Sequence, residues 1–241
     1  MRNILFKILV LAHRIVKGVA NRVLDKRRIR PRNFSNEMLR RYAPAFGGDI
    51  INVSGWKDED SQGGHYRDYF TAATSYAVSN VGGQSKGFGS ATGYEEIELD
   101  LLNNLSNGVK GGFDVVFNHT TLEHIYDFCK AFKSLCELSK DVVIVVVPVM
   151  QQIHHTEDFG DYWRPTTMTI AKMFMENGLE PLVIKCNDQP FAPIYCFAIA
   201  SRDPDKYRGK FAKEINFQMG SYNYGSSLNK KHMNKLLNMK Q

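Results

Sequence analysis

Cysteine is scarce in this chain of 241 residues, with thiols only at Cys129, Cys136, Cys186 and Cys196. None forms a CxxC pair and no histidine neighbours them at metal-ligand spacing, which excludes a disulfide framework and a cysteine-based zinc site. They read as small buried apolar residues of a protein in a reducing compartment. A membrane span is also missing, because the longest apolar run near the N terminus is interrupted at Lys7 and is far shorter than the roughly 20 residues a bilayer requires. No small-residue cleavage site follows it, which argues against a secretory signal. Net positive charge is absent from most of the chain as well. Of the net charge of +6, residues 1–41 hold twelve Lys or Arg against Asp25 and Glu37, so the remainder carries −4. A mildly acidic body argues against a nucleic-acid-binding groove.

The positive residues are arranged with a pattern. Read as a helix, Ile4, Ile8, Leu11, Ile15, Val19 and Val23 form one stripe, with Lys7, Arg14 and Lys17 beside it and the cluster Lys26-Arg27-Arg28-Ile29-Arg30 at its end. A basic amphipathic helix of this kind lies on an anionic membrane surface or packs against protein. Peripheral membrane contact through residues 1–30 is one expectation, and a cytoplasmic location at the inner face of the membrane accompanies it. Arg30-Pro31-Arg32 marks a boundary. The expected organisation is a basic arm over 1–41, a domain over 42–206 and a polar, basic tail over 207–241 that contains Lys230, Lys231 and Lys235.

Within the body, short apolar runs alternate with loops and helical patterns. Strands are expected at Asp49–Val53, Ser75–Asn80, Glu95–Leu99, Phe113–Phe117, Asp141–Val147, Pro181–Cys186 and Ile194–Ala200. Val142 to Val147 is wholly valine and isoleucine, the mark of a strand covered on both faces. Leu122, Ile125, Phe128, Phe132, Leu135 and Cys136 recur at helical spacing, and a second helix runs from Thr169 to Asn177 with Gly178 as its stop. This alternation predicts an α/β fold with a mostly parallel sheet and helices on both faces. The short connection Asn187 to Pro193 predicts that the last two strands pair as an antiparallel hairpin. Gly82–Gly93 is a glycine- and serine-rich loop by composition.

The segment GFDVVFNHTTLEH, from Gly112 to His124, ends a buried strand in amide, imidazole and hydroxyl groups. Ligands of open α/β sheets sit at the carboxyl ends of strands, so this is either a site wall or an ordinary junction in which Thr120 or Thr121 caps the next helix. His124 has a ring that titrates near neutral pH, suited to a general base or to a backbone hydrogen bond in the first helical turn. His154 and His155 are adjacent and point in different directions. No further ligands stand at metal spacing, so no metal is expected and one of the pair faces substrate. Asp161, Tyr162, Trp163 and Arg164 combine aromatic faces with a fixed cation. That set suits a sugar or phosphorylated acceptor, or equally a clamp in which Arg164 pairs with a carboxylate. Asp58-Glu59-Asp60 reads as a solvated acidic surface.

The elements FDVVFNHTTLEH, DVVIVVVPV and DYWRPTTMTIAKMFMENGLEPL, taken in order, resemble class I S-adenosylmethionine-dependent methyltransferases over residues 46 to 203. The nearest branch resembles the type 11 group, which often accompanies cell-surface glycan synthesis. The resemblance implies a Rossmann-like seven-stranded sheet with a C-terminal antiparallel hairpin, S-adenosylmethionine as cofactor, and O-methylation of a glycan, glycolipid precursor or other small acceptor. It places cofactor contacts at Ser54 and Gly55 after the first strand, Asn80 at the end of the second, Asp100 after the third, and Asn118 and His119 after the fourth. Beside these, the residues' own chemistry offers His124 as the base and His154, Asp161, Tyr162, Trp163 and Arg164 as substrate contacts. Two positions depart from the pattern. Only Gly55 survives from the glycine-rich turn, with Trp56 where a small residue is usual, and Asn80 replaces the ribose-binding acid. Glycine gives such a turn access to positive φ, and an acid accepts from both ribose hydroxyls where Asn offers one carbonyl. A chain that keeps the fold without methylating, and binds a partner through its basic arm, is the alternative.

Overall fold

The computed structural model describes residues 2–23, 30–82, 95–106, 108–157, 159–187 and 195–217. Most of the Gly82–Gly93 loop, the Asn187–Pro193 connection, most of the Lys26–Arg30 cluster and the tail lysines lie outside them. Helix α1 spans Arg2–Val23 and α2 spans Pro31–Tyr42. Strands follow at β1 Gly47–Val53, β2 Ala72–Asn80, β3 Glu95–Glu98, β4 Phe113–His119 and β5 Ser139–Pro148, with α3 Phe128–Leu138 between β4 and β5. Helix α4, Thr167–Glu176, precedes β6 Glu180–Cys186, β7 Tyr195–Ser201 and β8 Glu214–Ile215.

The sheet has the order β3-β2-β1-β4-β5-β7-β6-β8. Strands β1 to β5 run parallel to one another, and β7 runs antiparallel to both β5 and β6. The antiparallel hairpin is therefore present, inserted so that β7 lies next to β5. An eighth strand, beyond the seven expected, adds in parallel to β6 through Val183–Glu214 and Ile184–Ile215.

Strand β5 organises two cores. Its β-branched side chains alternate, with Val142, Ile144 and Val146 in one apolar cluster and Val143, Val145 and Val147 in the other. The second of these meets Phe132 and Leu135 of α3 and Ile170 and Phe174 of α4. The first meets Met38, Leu39 and Tyr42 of α2. Helix α2 was expected to belong to the basic arm. Its apolar face instead covers the sheet, so the packed body starts at Pro31 rather than at residue 42. Charge density had concealed an amphipathic helix. Cys136, Cys186 and Cys196 are buried as expected, but Cys129 is exposed, because it falls on the outer side of α3.

Helix α3 starts later than its apolar spacing predicts. Leu122–His124 forms one 3₁₀ turn, and the α-helix begins only at Phe128, where the Asp127 side chain accepts from Lys130 N. The intervening carbonyls are engaged elsewhere. Glu123 O accepts from Tyr162 N at 2.8 Å, and Tyr126 O accepts from Trp163 Nε1 at 3.0 Å. Helix α4 has its Thr166 cap and ends at Gly178, which adopts φ +73° as the stop signal requires. The described side chains of α1, among them Ile4, Phe6, Ile8, Leu11, Ile15 and Val19, are exposed and not packed on the body. No helix among the described residues is long and apolar enough to cross a membrane.

Asp141 ties the start of β5 to the end of β7. Its carboxylate accepts from Ser201 Oγ at 2.5 Å, Tyr207 Oη at 2.7 Å and Lys206 Nζ at 2.9 Å. Burial pushes its carboxyl up, but the bonds from Ser201, Tyr207 and Lys206 together pull it below the usual range. Asp141→Asn should therefore cost about 2 kcal/mol in urea unfolding, since it swaps an acceptor for a donor facing donors. A depressed folded pKa means that this stability is present above the unfolded value of about 3.9 and is lost as pH falls through the folded one. Wild-type stability should drop across that acidic window, and the variant should drop less.

Candidate functional site

A cleft of about 310 Å³ opens at the carboxyl ends of β1 and β4, lined by Arg32, Asn52, Ser54, Gly55, Trp56, Glu59, Ser61, Tyr66, His119, Thr120 and Thr121. One wall is the turn after β1. Ser54, Trp56 and Asp58 adopt φ of 55°, 53° and 58°, so alternate residues stand in the left-handed conformation that glycine adopts without strain. Gly55 serves a different purpose. A Cβ there would lie 2.6 Å from Asn52 Nδ2 and 2.9 Å from Val78 Cγ1. The glycine lets the turn press onto β1 and β2, while the strained backbone is carried by residues with side chains. The indole of Trp56 is 53% exposed and stands at the rim rather than filling the cleft.

Hydrogen bonds hold this strain in place. Trp56 N donates to Asn80 Oδ1 at 3.0 Å and Asn80 Nδ2 returns a bond to Trp56 O at 3.2 Å. Asn80 also donates to Glu96 Oε1. It therefore buttresses the turn and does not line the cleft. Asp58, expected on a solvated surface, is wholly buried, and Asp60 is 2% exposed. The Asp58 carboxylate accepts from Asn52 Nδ2 at 2.7 Å, Tyr76 Oη at 2.8 Å and Arg67 N at 3.0 Å. Asp60 accepts from Tyr69 Oη, Gln62 N and Gly64 N. These donors counter the desolvation that makes buried carboxylates rare, fully at Asp60 and in part at Asp58, whose carboxyl burial still pushes up, and only Glu59 of the three turns outward.

The opposite wall combines α2 with the end of β4. Arg32 donates to Tyr66 Oη at 2.9 Å and to Thr120 Oγ1 at 3.4 Å. Thr120 Oγ1 lies 3.0 Å from His119 Nδ1, His119 Nε2 lies 2.8 Å from Ser35 Oγ, and Ser35 Oγ donates to Arg32 O. One assignment of protons satisfies this ring of contacts. Arg32 donates to Thr120, Thr120 to His119 Nδ1, His119 Nε2–H to Ser35, and Ser35 to the Arg32 carbonyl. Burial, with Arg32 nearby, lowers the His119 pKa well below its ordinary value, so the imidazole is neutral. Thr121 makes no capping bond to the following turn, and both threonines face the cleft.

Three expected cofactor contacts, Ser54, Gly55 and His119, line the cleft. Asn80, Asp100 and Asn118 do not. Asn118 is wholly buried and donates to Val53 O at 2.8 Å, bracing β4 against β1. Asp100 accepts from Leu102 N and Asn103 Nδ2 within its own loop. Arg32 and Tyr66 escaped the sequence reading, the first because it sat inside a basic arm. The Arg-Pro-Arg boundary was the one available signal, since proline at the first helical position marks a helix start.

The expected substrate residues form a second cluster at the same sheet edge. Arg164 grips both oxygens of Asp161 at 2.5 and 2.6 Å and donates to the carbonyls of Gln151, Gln152 and Trp163. Its guanidinium holds the Asp161 carboxyl well below the usual range. The pair is a loop clamp, one of the two readings left open by the sequence. Trp163 packs against Phe128, and Tyr162 meets Tyr126 edge to face at 5.5 Å. His124 Nδ1 lies 2.6 Å from Gly160 O, so Nδ1 carries the proton and Nε2 the lone pair. Burial lowers its pKa. Beside this cluster runs an open groove of about 470 Å³, lined by His155, Thr156, Glu157, Phe159, Gly160, Asp161 and Tyr162. A further cavity of about 310 Å³, walled by Glu180, Leu182, Tyr207 and Phe211, lies at the amino-end edge of the sheet, away from these groups.

This architecture recurs in solved structures. Magnesium protoporphyrin IX methyltransferase from Synechocystis PCC 6803, with bound SAH, superposes with a TM-score of 0.50 at 12% identity, over 71% of this chain and 83% of that one. An S-adenosylmethionine-dependent methyltransferase from Mesorhizobium loti gives 0.50 at 11% identity, over 69% and 96%. The 1,6-didemethyltoxoflavin-N1-methyltransferase of Burkholderia thailandensis, with S-adenosylhomocysteine bound, gives 0.50 at 11%, over 70% and 80%. The fold is that of the class I S-adenosylmethionine-dependent methyltransferases. No family model matches the chain, and no curated protein matches its sequence. The turn after β1 thus carries its left-handed backbone at Ser54 and Trp56, with Gly55 as the one glycine between them. Trp56→Gly should accordingly leave urea stability unchanged or raise it by up to about 1 kcal/mol, as relief of left-handed strain offsets added chain entropy. Gly55→Ala, a gain of one methyl group, should lower stability by about 1–3 kcal/mol. The reverse ranking would mean that the turn is not built as described.

Proposed function

We propose that the chain is an S-adenosylmethionine-dependent methyltransferase whose cofactor occupies the β1–β4 cleft, and that it O-methylates a glycan or glycolipid precursor of a cell-surface polysaccharide. The observation that carries this reading is Arg32 set across the cleft from the left-handed turn at 54–58. A guanidinium pairs with a carboxylate such as that of the cofactor's methionine part. The turn brings main chain to the ligand, and neutral His119 and Thr120, bonded to each other, hold Arg32 and Ser35 in place without a competing charge. The residues present fit the amino-acid end of the cofactor. Toward the ribose, Asn80 is engaged with the Trp56 peptide, and Ser54, Glu59 and Ser61 are polar side chains on the cleft wall.

Bound there, S-adenosylmethionine would supply an electrophilic methyl group. The protein's part is to hold the acceptor in line and to let its hydroxyl proton leave, and alignment alone contributes much of such a rate. The groove at 155–162 is the acceptor site in this reading, with Phe159 and Tyr162 as faces for a sugar ring and the Glu123–His124–His154 group at its edge. Calorimetric titration with S-adenosylmethionine and S-adenosylhomocysteine should give saturable binding in the micromolar range, and Arg32→Ala should weaken it at least about tenfold. Absence of saturation at millimolar ligand would instead favour a non-catalytic protein that keeps the fold.

Residues 1–30 are assigned to the surface of an anionic membrane. Support comes from the exposed apolar side chains of α1 beside Lys7 and Arg14. Deleting residues 2–30 should abolish co-sedimentation with vesicles containing phosphatidylserine, and added salt should weaken that of the full chain. Equal sedimentation of both proteins would remove the assignment.

A further inference from the structure

Glu123 presents the largest unmet polar demand among the described residues. It is 0% exposed, and neither carboxylate oxygen has a hydrogen-bond partner. A buried charge without compensation is costly enough that proteins pair it, protonate it or bind it to a metal. The guanidinium of Arg164 is spent on Asp161 and three carbonyls, so it does not fill the need.

Two imidazoles face the same point. His124 Nε2 lies 3.8 Å from Glu123 Oε1, too far for a hydrogen bond, and one donor atom from each of Glu123, His124 and His154 falls within 4.8 Å of the others. Both rings are oriented from behind. His124 Nδ1 donates to Gly160 O at 2.6 Å, and His154 Nδ1 lies 3.2 Å from Asp161 Oδ2 and 3.3 Å from Gln152 O, both acceptors. The proton therefore sits on Nδ1 in both rings and the lone pair on Nε2. Histidine metal ligands are held in this way, one nitrogen bonded to a carbonyl or carboxylate and the other left to coordinate. Asp161 is itself fixed by Arg164 and by His154 N at 2.7 Å, so the outer layer is braced in turn.

We propose that Glu123, His124 and His154 form a binding site for one divalent cation of the zinc class. Two imidazoles and one carboxylate are an N/O set suited to zinc and its first-row neighbours rather than to magnesium or calcium, which prefer all-oxygen shells. Tetrahedral zinc with bonds near 2.0 Å sets its ligands roughly 3.3 Å apart, so binding draws the half-exposed His154 loop inward toward Glu123. Three protein ligands leave one position open. Gly160 and Asp161, which orient the two histidines, also line the groove, so the open position adjoins it.

The catalytic use of this ion rests on the methyltransferase reading, whereas its binding does not. A cation there lowers the pKa of an acceptor hydroxyl entering the open position. The O–H bond breaks with its proton passing to solvent, the O–CH₃ bond forms, and the C–S bond breaks with its electron pair returning to sulfur.

The test is calorimetric titration of the full, chelator-treated chain with zinc chloride, repeated with cobalt(II) and read by visible absorption. One saturable zinc per chain and a ligand-field band typical of low-coordinate cobalt are expected. His154→Ala, in an exposed loop, and Glu123→Gln, which keeps the side-chain shape, should each weaken zinc at least about tenfold. Cys129→Ser should leave it unchanged, and far-ultraviolet circular dichroism verifies folding of each variant. Zinc binding that is absent, or equal in wild type and a folded His154→Ala, overturns the site. Parallel titration with S-adenosylhomocysteine separates the two readings. Zinc retained without cofactor binding supports the site and removes its catalytic role, whereas cofactor retained without zinc refutes the site alone.

Discussion

The arrangement of the cleft depends on one buried carboxylate. Asp58 lies five residues beyond the end of β1, in a left-handed conformation, with no solvent to stabilise its charge. It persists there because three donors converge on it from separate parts of the chain, namely Asn52 on β1, Tyr76 on β2 and the amide of Arg67. Those bonds pin the loop back onto the strands that launch it. The turn between is then closed at both ends, and the strain of left-handed Ser54 and Trp56 is imposed rather than chosen. Asn80 completes the closure by bonding both sides of the Trp56 peptide. Glycines would adopt such a backbone freely. Here an acidic residue in the interior enforces it, and the Asn80 amide is consumed in closing it.

The strand and helix framework was legible in the sequence because burial on two faces leaves a plain signature. The valine-isoleucine run of β5 could be nothing but a central strand, and Gly178 ended α4 where expected. Errors arose where long-range hydrogen bonds overrode local pattern. Leu122, Ile125 and Phe128 have helical spacing, yet the carbonyls of Glu123 and Tyr126 bond to residues 162 and 163, some 37 positions away, and the helix waits until Asp127 can cap it. Strand β8 is two residues long, and no periodicity can announce so short a segment.

The candidate site was legible in its parts and not in its assembly. Ser54, Gly55, His119 and the DYWR segment were all identified, and the clamp reading of Arg164 was open from the start. Arg32 was not identified, because within twelve basic residues nothing distinguishes the one that meets Tyr66 and Thr120 from those facing water. The acidic run at 58–60 misled for a related reason. Charge runs are usually solvated, and only tertiary donors, Tyr76 and Tyr69 among them, make burial of Asp58 and Asp60 tolerable. Glu123, His124 and His154 lie in two segments about thirty residues apart, so ligand spacing along the chain carries no hint of their meeting.

The segment from His119 to His124 joins these two chemistries. Its first three residues line the cleft and its last two approach His154, with the 3₁₀ turn at Leu122 changing direction between them. A regular α-helix begun at Leu122 would point successive side chains about 100° apart around one axis and would leave Glu123 O bonded within the helix, unable to accept from Tyr162 and Trp163. The interruption frees that carbonyl to anchor the loop that carries Asp161 and Arg164, and through Asp161 it orients His154. The departure from helical order is thus what brings the cleft and the groove to adjacent positions on one sheet edge. The methyl transfer proposed above needs that adjacency, because in-line transfer tolerates little displacement of the reacting atoms.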